Sequence, residues 1–510
     1  MAIPKVCGIE TEFRFITLDK NGKPIHPIEQ ANIHYRGLEA FTHGFLSSVK
    51  AILHGRSQET PLTGIEEAKR WDGALDAEDD HPGDPFKLTA QDKKHRLRVR
   101  SLSSECDGFL PNGARFYLDV EAPEYSTPEC LLPLDLVAHD KAGELAMLEA
   151  RQIFQFWARE SKYFSDALIY KSNSDGFGHS WGSHLNVLLS RETVIGQNFF
   201  YFARHYMPFQ IARMVLIGGG KVGAEYKRPD CEFQISQRAD FFDRKVGLGT
   251  TDSRPILNIR DEPHADRLKY FRLHDISPDS SMCETALFLK VALTQIVLAM
   301  IEDRFLSENW FPSKPVLAAH AVSRDLKFET LIPLQSGKRA TGLETLRYYL
   351  AKSREYLNQN PMSDQHVWAV KLAEELLDQL EKDPFLTCGK LDWTTTWMIA
   401  QKHPELAKKN VLGFRDISEG GLYARLDRAG KIHHLLDKAL IVKAQTTAPI
   451  NTRAHLRGRL MKELGDKIGL ADWSLMETRG WDGFSWGYLD LGMPLLDERY
   501  YAELLSKLDS

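Results

Sequence analysis

Cysteine is scarce in this chain and is not grouped as a metal-binding motif or a disulfide framework would require. The 510 residues contain six cysteines, and no two of them form a CxxC pair. These spacings argue against both a zinc ribbon and a small domain held together by disulfide bonds. Isolated thiols are typical of a reducing compartment, so we expect a cytoplasmic protein.

An excess of charge of one sign is also missing. The chain has 65 Lys and Arg residues against 70 Asp and Glu residues, which gives a formal net charge of −5. A protein that binds nucleic acid usually presents a basic stripe, whereas the short basic run at residues 93–100 stands close to an acidic stretch at residues 76–84. We therefore expect no nucleic-acid partner.

No hydrophobic run is long enough to predict a membrane span. The most apolar helix-like stretch, residues 286–301, contains Lys290 and Gln295 and is shorter than the ~20 residues that a span needs. The first residues, Met-Ala-Ile-Pro-Lys, also lack the apolar region of a secretory signal peptide. We expect no membrane partner.

The glycine-rich stretch at residues 216–223 lacks the residues of a nucleotide-binding phosphate loop. Lys221 is followed by Val222, where that loop has Ser or Thr, and the GxxxxGK spacing is absent. We predict a turn here and look elsewhere for a nucleotide site.

Length and periodicity together predict a two-domain α+β protein. The chain exceeds the ~250–300 residues at which a single core stops growing. Helical patterns alternate with strand-like segments, among which we count residues 314–326. We predict a large, mostly antiparallel sheet backed by helices in residues 1–440, with a mobile insertion at residues 54–104, and a small C-terminal domain in residues 441–510.

Residues 114–120 form the most informative predicted strand, because polar and apolar side chains alternate along it. Since side chains of a strand point alternately to opposite faces, Arg115, Tyr117 and Asp119 share one face and apolar residues the other. Glu124 and Glu129 follow closely in the sequence. A cation, a phenol and several carboxylates on one side of a sheet indicate a site for metal and nucleotide.

A second predicted strand, residues 6–15, has the same design. Glu10, Glu12 and Arg14 alternate with apolar residues, although acidic residues are depleted in strands and repel each other when they share a face. A divalent cation would turn that repulsion into coordination. A solvated outer face of the sheet is the structural alternative.

Two later segments carry further candidate ligands. In residues 170–186, glycines allow a close approach of the backbone to phosphate, and His184 and Asn186 share a strand face. In residues 253–266, Arg260 suits a phosphate, and His264 beside carboxylates suits a metal or a proton transfer. An ordinary hairpin with a buried histidine and a surface salt-bridge cluster are the respective alternatives.

Taken together, the four segments predict ATP-dependent activation of a carboxylate. They supply carboxylates for two or three hard cations, one or two arginines for phosphate, and Asp119 as a candidate general base. Mg²⁺ takes oxygen ligands and neutralises the charge that develops in phosphoryl transfer.

Several motifs resemble the Pup ligase and Pup deamidase/depupylase family, from the first strand to Trp473. They are Gly8-Ile-Glu-Thr-Glu-Phe13, Asn112-Gly-Ala-Arg-Phe-Tyr-Leu-Asp119, Pro123-Glu-Tyr-Ser-Thr-Pro-Glu129, Arg260-Asp-Glu-Pro-His-Ala-Asp266 and Ser281-Met-Cys-Glu284. The resemblance implies a glutamine-synthetase-like large domain with a curved sheet, and ATP and Mg²⁺ as cofactors. It also implies a small protein modifier, Pup or Pup-like, and its conjugates as partners.

The resemblance also implies roles for individual residues. The positions of the family's magnesium ligands fall on Glu10, Tyr117 and Glu124, and its catalytic aspartate falls on Asp119. Its ATP contacts fall on Arg115, Thr127 and Trp473. By their chemistry we add Glu12 and His264 as metal ligands, His184 as a cofactor contact, and Arg260 as a catalytic residue.

The chain combines features of both branches of the family. The insertion at residues 54–104, with Arg70-Trp-Asp72 inside it, and the spacing of five between Asp119 and Glu124 resemble the hydrolase, whereas residues 253–256 and 281–284 resemble the ligase. Ala122 and the His184-Leu-Asn186 segment depart from both. We expect Pup deamidase/depupylase-like hydrolysis, with isopeptide ligation and a non-catalytic ATP-binding adaptor as the alternatives.

Overall fold

The computed structural model of the chain describes residues 2–25, 31–53, 106–119, 122–176, 178–226, 228–250, 254–479, 486–496, 499–502 and 506. The insertion predicted at residues 54–104 lies outside the described residues.

A six-stranded sheet organises the N-terminal half of the chain. Its order is β12-β7-β1-β5-β4-β3, and every neighbouring pair is antiparallel. The strands of the chain are β1 (Cys7–Glu12), β2 (Arg14–Asp19), β3 (Asp107–Phe109), β4 (Arg115–Asp119), β5 (Ala122–Ser126), β6 (Phe164–Tyr170), β7 (Ser183–Ser190), β8 (Lys221–Val222), β9 (Phe233–Gln234), β10 (Phe242–Gly247), β11 (Arg254–Asn258), β12 (Tyr270–Asp275), β13 (Ile332–Pro333), β14 (Arg339–Ala340), β15 (Ile468–Ala471), β16 (Leu475–Arg479) and β17 (Trp486–Asp490).

Helices back this sheet and make up most of the second half of the chain. They are α1 (Ala31–Leu53), α2 (Pro133–Ala158), α3 (Gln197–Ala212), α4 (Met214–Ile217), α5 (Glu284–Glu302), α6 (Pro315–Arg324), α7 (Gly342–Gln359), α8 (Asp364–Lys382), α9 (Asp392–Lys402), α10 (Ala407–Phe414), α11 (Leu422–Arg428), α12 (Lys438–Ala444) and α13 (Arg453–Leu464). Among the described helices, only α5 is long and apolar enough to cross a membrane, and its apolar window is entirely buried in the protein core.

The alternation predicted for β1 and β4 is present and separates a core face from an open face. Ile9 on β1 and Phe116 on β4 are 1% and 0% exposed and belong to the main hydrophobic core. The polar residues that alternate with the buried ones along each strand are at least partly accessible. Burial of such a side chain stabilises the fold by about 1.5–3 kcal/mol. The same alternation leaves the polar side chains together on the opposite face.

The prediction of one strand at residues 6–15 is wrong in its second half. The strand ends at Glu12, and β2 begins at Arg14 in a different sheet, where it pairs with β6. Phe13 between them is fully buried, and its N–H still donates to the carbonyl of Pro123 on β5, whereas Arg14 already pairs with Tyr170 of β6. Arg14 therefore leaves the main sheet.

The strand predicted at residues 314–326 is also wrong, because these residues form α6. Pro315 stands in the first helical turn, where its missing N–H costs nothing. Ala318, Ala319 and Val322 are buried along one side of the helix, which is a helical and not an alternating pattern. The apolar residues of this segment were misread as a strand signal.

The glycine-rich stretch at residues 216–223 connects α4 to β8. Lys221 is buried, and its Nζ lies 2.9 Å from both Glu225 and Asp240. Its charge is engaged in these ion pairs.

The C-terminal part of the chain has its own small hydrophobic cluster. Leu456, Leu460, Met476, Leu491 and Tyr501 pack together apart from the main core. Ala444 on the preceding helix, α12, instead packs against Ala138 and Ala142 on α2 of the large domain. The domain boundary at residue 440 stays a prediction.

Candidate metal and nucleotide site

The register of β1, β5 and β4 aligns the predicted metal ligands in one row across the sheet. Tyr117 lies directly opposite Glu124, and Glu124 lies opposite Glu12. Side chains directly opposite each other on antiparallel strands share a face, with Cβ atoms about 4.5–5.5 Å apart. Asp119 is two residues beyond Tyr117 and therefore also points to this face.

A second row runs beside the first. Arg115 lies opposite Ser126, Ser126 opposite Glu10, and Glu10 opposite His184. Four separate sequence segments thus meet on one face of the sheet. The structure brings together seven of the predicted site residues on this face, six in the two rows and Asp119 beside them: Glu10, Glu12, Arg115, Tyr117, Asp119, Glu124 and His184.

Three carboxylates form the densest negative cluster on this face. Oxygens of Glu12, Asp119 and Glu124 all lie within 4.8 Å of one another. Burial and then the charges of Glu10, Glu12 and Asp119 raise the pKa of Glu124 well above its ordinary value. Partial burial and then the charges of Glu12 and Glu10 also raise the pKa of Asp119, although that residue stays accessible at the end of β4. The cluster lacks positive charge, and a cation would supply it.

Neighbouring groups hold parts of this cluster in place. The hydroxyl of Tyr117 donates a short hydrogen bond to Glu124, and the N–H of Gly182 donates to Glu12 Oε2 at 2.8 Å. Arg115 is ion-paired with Asp107 on β3, and its guanidinium lies 4.6 Å from the Tyr117 ring centre. Arg115 is therefore positioned beside the carboxylates without neutralising them.

Glu10 lies in a different environment, between two histidines. His184 Nδ1 is 3.5 Å and His274 Nδ1 is 3.8 Å from Glu10 Oε2, and the three side chains form a second group with metal-binding geometry. Arg272 Nη1 donates to Glu10 Oε1 at 3.0 Å. Burial would raise the pKa of Glu10, but His184, His274 and Arg272 together hold it well below its ordinary value.

Arg272 and His274 were not predicted from the sequence. They lie on β12, and His274 Nδ1 is 2.9 Å from Asn186 Oδ1, which also accepts from Arg272 Nη1 at 2.8 Å. The segment Tyr270-Phe-Arg-Leu-His-Asp275 shows the same alternation of polar and apolar residues as β1 and β4. That alternation was the available signal.

An open cleft extends from Glu10 toward the C-terminal segment. It runs between the sheet face on one side and the loop after β11 together with the C-terminal segment on the other. Besides Glu10, three predicted site residues line it together with Arg272 and Arg453: Thr127, His264 and Trp473. A mixture of aromatic, hydroxyl and cationic groups suits a nucleotide.

Ion pairs between α13 and the segment after β5 hold the wall of the cleft at Trp473 in place. The Trp473 ring packs edge-on against Phe109 at 5.0 Å, and the Arg457 guanidinium lies 4.9 Å from each of these rings. Arg453 Nε donates to Glu129 at 2.7 Å, and Arg457 is also paired with Glu129. Although burial opposes ionisation, these arginines lower the pKa of Glu129 to about 2.

His264 lies in the cleft rather than among the carboxylates. Neither metal-compatible group in the described residues includes it, and burial lowers its pKa. Its φ of 48° is in the left-handed region, which is unusual for a residue with a side chain. Its carbonyl accepts from Arg453 Nη1 at 2.6 Å, so the cleft wall helps to hold this conformation. Its role as a metal ligand stays a prediction.

Thr127 is held at the cleft by a hydrogen bond, whereas Arg260 lies on the surface near the carboxylate cluster. The Thr127 hydroxyl accepts from the N–H of Ile9 at 3.0 Å and thereby ties the segment after β5 to β1 at the cleft. Arg260 is exposed and bonded to Glu262 at 2.8 Å, and its charge is near enough to counteract the raised pKa of Asp119. Their catalytic or cofactor roles stay predictions.

The carboxylate cluster fits a hard cation such as Mg²⁺. Its donors are oxygens, it holds more negative charge than its surroundings neutralise, and the adjacent cleft is open for phosphates. Glu12, Asp119 and Glu124 would be within reach of one ion, and Glu10 with His184 and His274 could hold another.

The chain is similar to proteins with two opposite activities. A family described as Pup-ligase protein matches residues 5–477. The depupylase of Acidothermus cellulolyticus is 37% identical over 431 residues, which cover 82% of this chain and 80% of the relative. The Pup–protein ligase of Acidimicrobium ferrooxidans is 35% identical over 378 residues, which cover 72% of this chain and 82% of the relative.

Two solved structures share this fold. The complex of the prokaryotic ubiquitin-like protein Pup with its ligase PafA has a TM-score of 0.76 and 25% sequence identity, and the match covers 99% of this chain and 92% of the other. The ligase PafA in complex with ADP has a TM-score of 0.71 and 27% identity, and the match covers 85% of this chain and 97% of the other. The predicted α+β architecture is thereby confirmed.

Proposed function

The chain belongs to the family of Pup-ligase proteins, and from that premise we propose that it hydrolyses a γ-glutamyl amide or isopeptide bond of a small protein modifier. The modifier is Pup or a Pup-like protein, free or attached to its conjugates. ATP and Mg²⁺ are the cofactors of this activity.

The carboxylate cluster on the sheet face is the observation that carries the proposal. Glu12, Asp119 and Glu124 come from three neighbouring strands, and their oxygens lie within 4.8 Å of one another. Like charges this close destabilise a fold unless a ligand compensates them. Perturbed ionisable groups beside an open cleft are typical of active sites.

The residues of this face divide into a part for the metal and a part for the nucleotide. We propose Glu10, Glu12, Tyr117 and Glu124 as the magnesium-binding set, and Arg115, Thr127 and Trp473 as contacts of ATP. When bound, Mg-ATP would supply positive charge at the carboxylates and an activating phosphoryl group beside them.

Asp119 is the group on this face best placed to react. Its raised pKa makes it a stronger base than an ordinary aspartate, and its position at the end of β4 leaves it accessible. It would act as general base toward water or as nucleophile toward the γ-carbonyl carbon. Arg115 lies on the same face and would stabilise the negative charge that develops on the carbonyl oxygen.

Hydrolysis is favoured over ligation by one spacing. Glu124 follows Asp119 by five positions, as in the hydrolase branch, and Asp119 at the end of β4 pairs with Ala122 at the start of β5. The depupylase relative also matches a larger share of this chain than the ligase relative does.

Isopeptide ligation is the second candidate, because the ligase relative is nearly as similar in identity. In that reaction a lysine amine, instead of water, would attack the activated γ-carboxyl group. The same carboxylates and the same cleft would serve both directions, so the face itself does not separate them.

The test is the intact mass of a Pup-type protein that ends in glutamine, incubated with the enzyme and Mg-ATP. We expect the mass to increase by the difference between an amide and an acid. An Asp119→Asn variant that still binds nucleotide should give no increase, and full activity in this variant would contradict the assignment of Asp119.

Two other outcomes separate the remaining alternatives. Conjugate formed from the glutamate form of the modifier and a lysine donor, without deamidation of the glutamine form, would establish ligation. Nucleotide binding with no turnover in either assay would indicate an ATP-binding adaptor.

We further propose a cytoplasmic location. All six cysteines are free thiols in the structure, and Cys7, Cys106, Cys130 and Cys283 are buried in it. Free thiols are typical of proteins in a reducing compartment.

A further inference from the structure

One peptide group at the edge of the carboxylate cluster connects Glu12 to a buried arginine. The N–H of Gly182 donates to Glu12 Oε2 at 2.8 Å, and the carbonyl of Trp181, which belongs to the same peptide group, accepts from Arg238 Nη1 at 2.5 Å. Arg238 is therefore separated from a predicted metal ligand by a single peptide unit. No role was predicted for it from the sequence.

Arg238 differs from the other arginines that are equally buried. Arg213, Arg238, Arg415 and Arg457 are each 1% exposed or less. Three of them donate to a carboxylate, on Asp275, Asp392 and Glu129 respectively. Within the described residues, Arg238 bonds only the carbonyl of Trp181 and the hydroxyl of Ser180, and its Nε has no partner.

A second arginine with unused donors reaches the same tryptophan. The guanidinium of Arg14 lies 5.4 Å from the centre of the Trp181 ring. Its Nη1 is buried without a hydrogen-bond partner, and no hydrogen bond of its guanidinium is found in the part of the chain that the structure covers. Both arginines therefore contact Trp181, and the next residue, Gly182, bonds Glu12 of the carboxylate cluster.

Two guanidinium groups without carboxylate partners are costly to bury. An unpaired buried charge destabilises the folded state, and arginine stays protonated at neutral pH. Burial, and then the nearby charge of Arg254, lower the pKa of Arg238 to about 10. Asp175 near Arg14, and Glu12 and Asp279 near Arg238, act in the opposite direction. Within the described residues, however, neither guanidinium group is hydrogen-bonded to any of these carboxylates.

We propose that Arg14 and Arg238 bind the free α-carboxylate of the glutamyl or glutaminyl residue whose side chain carries the reacting bond. The inference rests on the proposed function, because a γ-linked C-terminal residue keeps its α-carboxylate while its side chain reacts. Only the short side chain separates that carboxylate from the reacting carbon, so its binding site must lie close to Asp119. The fork of guanidinium donors matches the two oxygens of a carboxylate.

This site would also distinguish the terminal residue from other residues of the modifier. A glutamate or glutamine inside the chain has a peptide carbonyl in place of the α-carboxylate and would leave both guanidinium groups unpaired. Leaving a buried charge unpaired is a strong basis for rejecting a wrong substrate.

The test measures binding, so that it does not depend on turnover. Two fluorescently labelled Pup-type proteins ending in glutamine, one with a free terminal carboxylate and one with a terminal carboxamide, are titrated with the full-length enzyme in Mg-ADP. We expect the wild-type enzyme to bind the carboxylate form at least about 30-fold more tightly. Arg14→Gln and Arg238→Gln should weaken binding of the carboxylate form and leave that of the carboxamide form nearly unchanged.

Arg159→Gln is the matched control, because Arg159 is an exposed arginine at the end of α2. It should preserve the discrimination. Thermal unfolding of each variant checks folding, and Arg14, which is less buried than Arg238, gives the result if Arg238→Gln does not fold.

Equal binding of the two forms by the wild-type enzyme would overturn the inference, whatever the deamidation assay shows. An equal loss on both forms in the arginine variants would also overturn it. Failure of the proposed hydrolysis would be seen separately, as an unchanged mass in the wild-type reaction.

Discussion

Asp119 and Asp275 are both aspartates of the six-stranded sheet, but they lie in opposite electrostatic surroundings. Asp275 on β12 is fully buried and ion-paired with Arg213, and it accepts from Tyr206 at 2.6 Å. Burial alone would raise the pKa of Asp275, but Arg213, Ser277 and Tyr206 hold it below its ordinary value. Asp119 is more accessible and yet has a raised pKa, because partial burial and the charges of Glu12 and Glu10 outweigh the nearby positive charge of Arg260.

The comparison distinguishes charged groups that stabilise the fold through ion pairs from charged groups that are left to bind a ligand. Removing one partner of a buried, paired group leaves an uncompensated charge and destabilises the protein. Removing one member of a group of like charges relieves repulsion, and the loss falls on activity instead. The same side-chain type in the same sheet should therefore respond to the same substitution in opposite ways.

The largest expected effect is that of Asp119→Asn on turnover. Loss of a general base or nucleophile should lower kcat by about 10²–10⁴-fold or more. Because the substitution removes a charge from among Glu12 and Glu124, the thermal midpoint in magnesium-free buffer should be unchanged or higher. Single-turnover kinetics and thermal unfolding check the two expectations on one sample. A marked fall in the midpoint would show that Asp119 is needed for the fold.

Asp275→Asn should give the reverse result. It leaves the Arg213 guanidinium buried without a counter-charge, so the free energy of unfolding should fall by about 3–5 kcal/mol. Urea unfolding measures the loss, with Asp378→Asn as the control, because Asp378 is 71% exposed and its pair with Arg347 should contribute little. A loss at Asp275 as small as that of the control would contradict the division into structural and functional charge.

Magnesium should stabilise the carboxylate cluster and do nothing for the paired aspartate. At about 100 times its dissociation constant, an ion that binds only the folded state stabilises it by about 2.7 kcal/mol. Thermal unfolding of the wild-type protein should therefore shift upward when Mg²⁺ replaces EDTA. Glu124→Gln should unfold at an equal or higher temperature in EDTA and lose most of the shift. An unchanged shift in this variant would exclude Glu124 as a ligand.

The sequence predicted what kind of site the sheet face carries, but it did not identify all the residues that form the site. Alternation in β1 and β4 was enough to align Glu10, Glu12, Tyr117 and Asp119, since a side-chain period of two determines which residues share a face. The neighbours across the sheet were not available from the sequence, because register depends on strand order. His274 and Arg272 were therefore missed although β12 alternates in the same way.

The errors at Phe13 and in α6 have a common physical origin. A local pattern predicts which residues are buried, but not where the backbone leaves one sheet for another or whether a short apolar segment is a helix. Arg14 was assigned to the main sheet because the alternation of polar and apolar residues continues past Phe13. The chain nevertheless enters a different sheet at Arg14, where β2 pairs with β6. The unusual state of Arg238, a buried cation without a carboxylate partner in the described residues, can be recognised only when its surroundings are known.

His434 lies between the two extremes, because its pairing depends on its protonation. Its Nδ1 is 2.9 Å from Glu284 at the start of α5, and its Nε2 is 2.6 Å from Asp427 on α11. Neutral imidazole has one N–H donor, so only the charged form can satisfy both carboxylates. Burial opposes that charge, but the hydrogen bonds with Asp427 and Glu284 raise the pKa of His434 above its ordinary value.

The smallest expected effect is therefore a pH-dependent one, in His434→Gln. Because the folded-state pKa is raised, the stability contributed by His434 is fully present below the pKa of an unfolded histidine, near 6.5, and is lost as pH rises through the folded value. Urea unfolding should show the variant less stable than wild type by about 1–2 kcal/mol at pH 6, with a smaller difference at pH 8.5. His403→Gln, at an exposed histidine 3.8 Å from Glu405, should show no such trend. A difference that grows with pH would mean that the neutral form holds Glu284 and Asp427 together, and His434 would then belong with permanently paired groups such as Asp275.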